Sequence, residues 1–277
     1  MVYGSVTDGA RVAWREKTAD WSVLLPFYNE RQYLRDTIRG LAHQTVQPLL
    51  ILIDNASTDR SGEIAREACA EFGVRAIHLH EGRPGKVAAL QCGLRLVESR
   101  FVATCDADTW YPASYLERAG SLLARPGTVA AIAANSPPEG TVLAARLAGW
   151  RLALTGAVLR QQCLNGGASQ TFRTAALKAC GGFDPAIWNW VLEDHEIMAR
   201  IEGHGRIRYN RHFICHPATR PRAVDCRGWN LPEQLRYHLT ESGERIDYFH
   251  EFLAPRLRDR ALPSEMLRRI EGLTASA

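Results

Sequence analysis

Phe101-Val102-Ala103-Thr104-Cys105-Asp106-Ala107-Asp108-Thr109 reads as an apolar strand that runs out into two carboxylates one residue apart. Where a strand leaves a sheet at its carboxyl end, the chain turns over the crevice in which open α/β sheets hold ligands, so Asp106 and Asp108 are candidates to face it. Paired hard oxygen donors suit Mg²⁺ or Mn²⁺, which one or two carboxylates commonly hold with positions left for phosphate oxygens. An Asx turn at a strand end is the alternative for the same residues.

Upstream, Ser22–Leu25, Leu49–Ile53 and Ala76–Leu79 are further strand candidates, with Phe101–Cys105 as the fourth. Three stretches between them carry apolar residues at helical spacing: Glu30–Ala42 (Leu34, Ile38, Leu41), Ser61–Phe72 (Ile64, Ala65, Ala68, Phe72) and Lys86–Val97 (Val87, Leu90, Leu94, Val97). Strands alternating with helices predict an α/β fold with a doubly wound, mainly parallel sheet. Polar residues gather where the strands end: Tyr28-Asn29-Glu30, Asp54-Asn55, His80-Glu81 and Asp106-Ala107-Asp108. Lys86 follows Gly82 and Gly85 at a helix start, where unpaired N–H groups and the helix dipole favour phosphate.

Downstream, Gly166-Gly167-Ala168-Ser169 reads as a loop feeding a short strand, then a helix Thr174–Cys180 that stops at Gly181-Gly182. Leu192, Ile197, Met198 and Ile201 predict a helix over Val191–Gly203 with Glu193 and Asp194 in its first turn, where the dipole favours acids. Just ahead, Trp188 and Trp190 can stack on a sugar ring or pack in the core. Arg206–Tyr209 and His212–His216 read as two short strands, and Arg220-Pro221-Arg222 as a basic loop able to fold over a diphosphate. His212, Cys215, His216 and Cys226 match no zinc-site spacing.

The ordered set of motifs resembles family 2 glycosyltransferases of the GT-A fold. Ser22–Glu30 is similar to that family's opening strand, Asp54-Asn55-Ala56-Ser57-Thr58-Asp59 to its Asp-(Asp/Asn)-x-Ser-x-Asp segment, and Gly85-Lys86-Val87-Ala88-Ala89-Leu90 to its Gly-Lys-x-x-Ala-Leu helix start. Asp106-Ala107-Asp108 matches its Asp-x-Asp motif, and Gly181-Gly182-Phe183-Asp184 with Glu193-Asp194 the elements of its acceptor half. The resemblance implies an inverting, metal-dependent enzyme that moves a single sugar from a nucleotide-sugar, a UDP-sugar favoured, to a hydroxyl acceptor that is a glycan, a lipid-linked molecule or a small molecule. It implies Asp108 and His216 on a divalent metal (Mn²⁺ or Mg²⁺), Asp106 toward the ribose, Asp54 on the base, and Pro26, Tyr28 and Glu30 in the nucleotide wall. Lys86 would meet phosphate, and Asp194, with Glu193 as the alternative, would be the catalytic base. A related nucleotidyltransferase would need a Gly-rich loop after strand one, where this chain has Pro26-Phe27-Tyr28-Asn29-Glu30; a binding module without catalysis is a further alternative. The Gln-x-x-Arg-Trp motif of processive synthases is absent, since Gln234-Leu235-Arg236-Tyr237 lacks its spacing.

At 277 residues the chain can bury one substantial core. The expected division is an N-terminal extension over 1–20, a GT-A domain over 21–225 whose nucleotide-binding half is 21–120 and acceptor half 121–225, and a helical tail over 226–277. A net charge of +4 suits polyanionic donors or an anionic membrane surface and is too small to argue for nucleic acid. Seven cysteines without paired spacing suggest reduced thiols and a cytoplasmic setting, and charges within Met1–Asp20 interrupt any signal-like apolar run. Arg146 and Arg151 break the apolar stretch Thr141–Leu159, so no membrane span is expected there. Arg146, Arg151 and Arg160 do not share a helical face, which argues against an interfacial helix as well. The Arg- and aromatic-rich tail Leu231–Leu273 is expected to pack on the domain, with peripheral membrane contact as its alternative.

Overall fold

The fold is that of a computed structural model, which describes residues 19–136, 141–159, 162–219 and 228–265. Most of the expected N-terminal extension, Arg160, Arg220-Pro221-Arg222 and Cys226 lie outside the described residues.

Strands β1 (Trp21–Phe27), β2 (Leu49–Asp54), β3 (Ala76–His80) and β4 (Phe101–Thr104) alternate with helices α1 (Leu34–Ala42), α2 (Ser61–Glu71) and α3 (Lys86–Leu94). All pairings among these four strands are parallel. Every residue of β1 is buried, because the sheet is covered on both faces. Its alternation sorts the side chains. Val23, Leu25 and Phe27 join Leu34, Ile38 and Leu41 of α1 and Ala65 and Ala68 of α2 in one core. Leu24, with Ile51 and Ile53 of β2, meets Val87, Leu90 and Leu94 of α3 in the other. The expected helix from Glu30 begins only at Leu34, since Glu30 and its neighbours form the turn that carries the chain out of the sheet.

Beyond β4 the sheet becomes mixed. Its order is β3-β2-β1-β4-β7-β6-β8-β5, with β5 (Thr109–Trp110), β6 (Thr128–Asn135), β7 (Gln170–Arg173) and β8 (Arg206–Pro217) in the second half. β7 runs antiparallel to both β4 and β6, β8 is parallel to β6, and β5 pairs antiparallel with the end of β8. The two short strands expected over 206–216 are one strand, whose pairing with β6 shifts register twice. Helices α4 (Tyr115–Leu123), α5 (Val142–Val158), α6 (Thr174–Ala179) and α7 (Glu193–Ile201) complete this half.

The tail comprises α8 (Leu231–Leu239), α9 (Arg245–Asp247), a π-helical stretch Tyr248–Leu253 and α10 (Ala254–Asp259). Tyr237, Tyr248, Phe249, Leu253, Leu257 and Leu262 form a third core with Trp188 and Ala199. Charge adds to that packing. Buried Glu196 of α7 accepts from Arg200 at 2.7 Å and pairs with His250 Nε2 at 3.0 Å, and Glu202 pairs with buried Arg245. Among the described residues no helix is long and apolar enough to cross a membrane.

Candidate functional site

The carboxyl ends of β1–β3 form one stitched rim. Pro26 is buried in β1 opposite Ile53, and Tyr28 and Glu30 stand half-buried in the turn that follows. Between them Asn29 adopts a left-handed φ of 54°, which asparagine tolerates better than most residues, and its Oδ1 accepts from Thr58 N at 2.8 Å. Glu30 N donates to Ser61 Oγ at 2.8 Å, so the loop after β1 is tied both to the loop after β2 and to the start of α2. Asp54 uses Oδ1 to accept from Ser57 N, three residues on, at 2.8 Å, and its Oδ2 faces Gly62, where a Cβ would approach to 2.8 Å. Asn55 is buried, donates to Glu81 O at 3.0 Å and Arg83 O at 2.7 Å, and accepts from Gly85 N at 3.0 Å. One amide thereby fixes the loop after β3 against the start of α3.

Asp106 and Asp108 follow β4. The backbone N–H of Asp106 donates to the buried Tyr111 hydroxyl at 2.9 Å, and that hydroxyl donates to Ala168 O at 3.0 Å, which ties this strand end to the loop before β7. Lys86 Nζ stands 2.6 Å from Asp106 Oδ1 and 3.7 Å from Glu193 Oε1. Burial works against its charge, but the Asp106 and Glu193 carboxylates outweigh burial and hold the ammonium above its ordinary pKa. Asp108 O accepts from Ala218 N at 2.8 Å, and His216 lies opposite Trp110 in the β5–β8 register. His216 Nδ1 is 3.1 Å from Ser136 O; with Nδ1 as the donor, Nε2 is the nitrogen left for a ligand.

Glu193 and Asp194 open α7 directly after Leu192, whose φ of 66° is a left-handed conformation costly for a branched residue. Asp194 Oδ1 accepts from His195 N and meets His195 Nδ1, both at 2.8 Å. Its Oδ2 is pressed against Gly166, where a Cβ would come within 1.7 Å. At Gly167, with φ 63°, a Cβ would come 2.8 Å from Asp106 Oδ2 and 3.7 Å from Lys86 Nζ. Consecutive glycines therefore lie between the two acids, and only residues without a side chain fit there. Gln170 Nε2 donates to Asp194 O at 2.9 Å, and the His195 ring meets Trp229 edge-on with centroids 4.8 Å apart.

The two adjacent carboxyls are pushed in opposite directions. Burial and the neighbouring Asp194 charge raise Glu193, with Lys86 opposing them. Burial also works to raise Asp194, but the charge and hydrogen bond of His195, together with Lys86, outweigh it and hold this carboxyl low. His195 is held well above its usual value: burial lowers it, while Cys163 and the Asp194 carboxylate raise it further.

Lys86, Asp106, Glu193 and Asp194, distant in sequence, thus share one cluster, while Pro26, Tyr28, Glu30 and Asp54 line the adjoining rim and Asp108 and His216 stand at the β5–β8 end. Trp188 is buried in the tail core, with Nε1 donating to Val191 O at 3.1 Å, so it offers no ring face to a sugar. Trp190 is partly buried against the same core. Sequence reasoning did not single out His195, adjacent to the acids, or Tyr237, whose hydroxyl accepts from Cys163 N at 2.9 Å. Among the described residues no three His, Cys, Asp and Glu side chains form a group that could hold a metal ion. Asp106 and Asp108 remain an all-oxygen pair of the kind that holds Mg²⁺ or Mn²⁺ when phosphate oxygens and water complete the shell, so these residues fit such an ion.

The family model for glycosyl transferase family 2 matches residues 22–176. The chain is 31% identical over 97 residues to glycosyltransferase GlyA of Streptococcus pneumoniae, a match covering 35% of this chain and 14% of that protein. It is 33% identical over 102 residues to the undecaprenyl-phosphate 4-deoxy-4-formamido-L-arabinose transferase of Edwardsiella ictaluri, covering 35% of this chain and 31% of that protein. These matches span less than a third of the relatives' own lengths. Among solved structures, the mannosyltransferase PcManGT of Pyrobaculum calidifontis, in complex with GDP-Man and Mn²⁺, superposes with a TM-score of 0.64 at 18% identity over 96% of this chain and 86% of that one. At that identity the likeness concerns the fold, which is the GT-A fold.

Proposed function

Since the chain belongs to glycosyl transferase family 2, we propose that it moves one sugar from a nucleotide-diphospho-sugar, a UDP-sugar favoured, to a hydroxyl acceptor with inversion at the anomeric carbon. The observation that carries this reading is the pair of acids across Gly166 and Gly167. Asp106 follows β4 and Asp194 opens α7, and the Gly166-Gly167 backbone packs against both, so acids from the two halves of the chain share one site. The rim from Pro26 to Asp54 receives the nucleoside, with Asp54 accepting a base N–H and Asp106 near the ribose. Lys86, at the start of α3, turns from Asp106 to the diphosphate when the donor enters.

Asp194 is the base. His195 holds one of its oxygens and helps keep the carboxyl ionised, while the other oxygen lies against Gly166. Glu193, whose carboxyl is pushed up by burial, is the alternative base beside it. A divalent cation held by Asp108, with His216 as a further ligand, would neutralise charge on the departing diphosphate. The wider relatives support a nucleotide-sugar donor: the PcManGT structure holds GDP-Man and Mn²⁺, and a structure of TarS from S. aureus holds UDP-GlcNAc.

A thermal-shift panel of nucleotide sugars, with and without Mn²⁺, tests the reading. A donor at a hundredfold its Kd stabilises the protein by about 2.7 kcal/mol. Asp108→Asn should remove most of the Mn²⁺-dependent part of that shift and His216→Ala a smaller part. Metal-dependent binding that is unchanged in Asp108→Asn overturns the metal assignment.

A further inference from the structure

Helix α5 has two apolar faces, and the described residues cover one of them. The covered face packs on β8: a Cβ on Gly149 would come 2.0 Å from Arg211 O, and one on Gly156 2.5 Å from the Tyr209 ring, with Leu152 buried between them. On the opposite face Leu143, Leu147, Trp150, Leu154 and Val158 recur at helical spacing and are 65%, 54%, 47%, 61% and 80% exposed. Isolated exposed apolar residues are ordinary, but five in one line along a helix about 26 Å long make a patch.

The charges of α5 are placed to match. Its sequence holds Arg146 and Arg151 and no acidic residue. At about 100° per residue, Arg146 falls about 80° to one side of the stripe's mid-line and Arg151 about 60° to the other. Both are exposed. They do not share a face, as the sequence indicated, and for that reason they flank the apolar stripe instead of interrupting it. The Arg211 guanidinium lies 4.4 Å from the Trp150 ring and adds a third positive group at its border. The charges decide between two occupants. A second copy pairing stripe to stripe brings arginines against arginines with no acid on α5 to neutralise them, whereas anionic headgroups neutralise them all.

We propose that α5 lies in the interface of an anionic membrane, its Leu143–Val158 stripe buried among the acyl chains and Arg146 and Arg151 on the lipid phosphates. Before α5 the chain leaves Ser136, whose carbonyl meets His216; after α5 it returns through Gly166 and Gly167, against Asp194 and Asp106. Docking by this helix therefore sets the acid cluster at the membrane surface. The inference rests on a surface separate from the nucleotide rim, and a failure of the donor assignments leaves it standing.

The full chain is sedimented with phosphatidylcholine vesicles and with vesicles that also contain phosphatidylglycerol. Binding to the anionic vesicles is expected, with a blue shift in tryptophan emission that Trp150→Ala diminishes. Arg146→Gln with Arg151→Gln should lower partitioning about 25-fold, roughly fivefold for each arginine. Leu147→Glu with Leu154→Glu should abolish it. All four positions are exposed, so unchanged melting temperatures show that the variants fold. Absence of wild-type binding to anionic vesicles, or equal binding by Leu147→Glu/Leu154→Glu, overturns the proposal. So does a wild-type dimer in light scattering, without vesicle binding, that this double variant dissociates.

Discussion

On the nucleotide side Asp54, Lys86 and Asp106 each stand where a regular element begins or ends, held by hydrogen bonds to nearby loops; on the acceptor side Asp194 depends on groups drawn from several distant segments. His195 fixes one of its oxygens, Gly166 admits the other, Gln170 holds its carbonyl, and Trp229 and Tyr237 of the tail back the His195 ring. The first side is an edge of a sheet that folds for its own reasons. The second also leans on the tail, through the rings of Trp229 and Tyr237 against His195. Damage to the tail should therefore reach catalysis while leaving donor binding alone, and damage to the rim should do the reverse.

The largest break in that symmetry is expected from Asp194→Asn, which keeps the shape but cannot accept a proton. Single-turnover transfer should fall about 10²–10⁴-fold while donor affinity, measured by calorimetry, stays within a factor of two or so. Retained turnover in Asp194→Asn combined with loss in Glu193→Gln would hand the base role to Glu193. Gly166→Ala should come next: its methyl group collides with Asp194 Oδ2, and a displacement on the order of 1 Å costs about 10²-fold in turnover. Normal turnover in this variant would show that Asp194 has freedom to move and needs no glycine beside it.

Tyr237→Phe sharpens the tail's part in the comparison. It leaves the buried Cys163 N–H without its 2.9 Å acceptor, so chemical denaturation should show a loss of about 1–3 kcal/mol, with kcat reduced and donor affinity unchanged. On the nucleotide side, Asp54→Ala should weaken nucleoside diphosphate binding by about 1–3 kcal/mol and leave the first-order rate from saturating donor nearly intact. Equal affinity in wild type and mutant would confine Asp54 to holding the Ser57 N–H in its turn.

The smallest effect concerns pH. Burial alone would raise the Glu196 carboxyl, but hydrogen bonds from His250 and Arg200 overcome it and hold the group below the usual carboxylate range. A carboxyl depressed in the folded state adds stability above its unfolded pKa, about 4.3, and that contribution disappears as pH falls through the lower folded value. Denaturation midpoints between pH 6 and 3 should therefore fall less steeply in Glu196→Gln than in wild type. A parallel fall in the two proteins would mean that the clamp between α7 and the tail does not depend on this charge.

Much of this architecture was open to reading before any coordinates. The parallel strands β1–β4 follow from short apolar runs bounded by turns, and the helices between them from stripes such as Leu34, Ile38 and Leu41, because side-chain periodicity is a local property of the chain. The positions of Asp54, Asp106 and Asp108 follow for the same reason, each being where an apolar run stops. What periodicity did not mark was β6: Thr-Val-Ala-Ala-Ile-Ala-Ala-Asn is buried on both faces and so shows no alternation. Arg211 and its polar neighbours made β8 look like two strands, since a strand that shifts register against β6 can turn these side chains outward without ending.

The amino-acid sequence by itself determined the alternating strands and helices, the rim of polar residues at the strand ends and the acids that open α7, because each depends on neighbours a few residues away. Tertiary structure alone decided that Lys86 lies between Asp106 and Glu193, that Gly166 and Gly167 separate two carboxylates, that Trp188 is core, and that Arg146 and Arg151 border an exposed stripe. Those outcomes depend on which surfaces meet. Burial and pairwise charge are properties of the packed molecule, set by segments as far apart along the chain as Lys86 and Glu193.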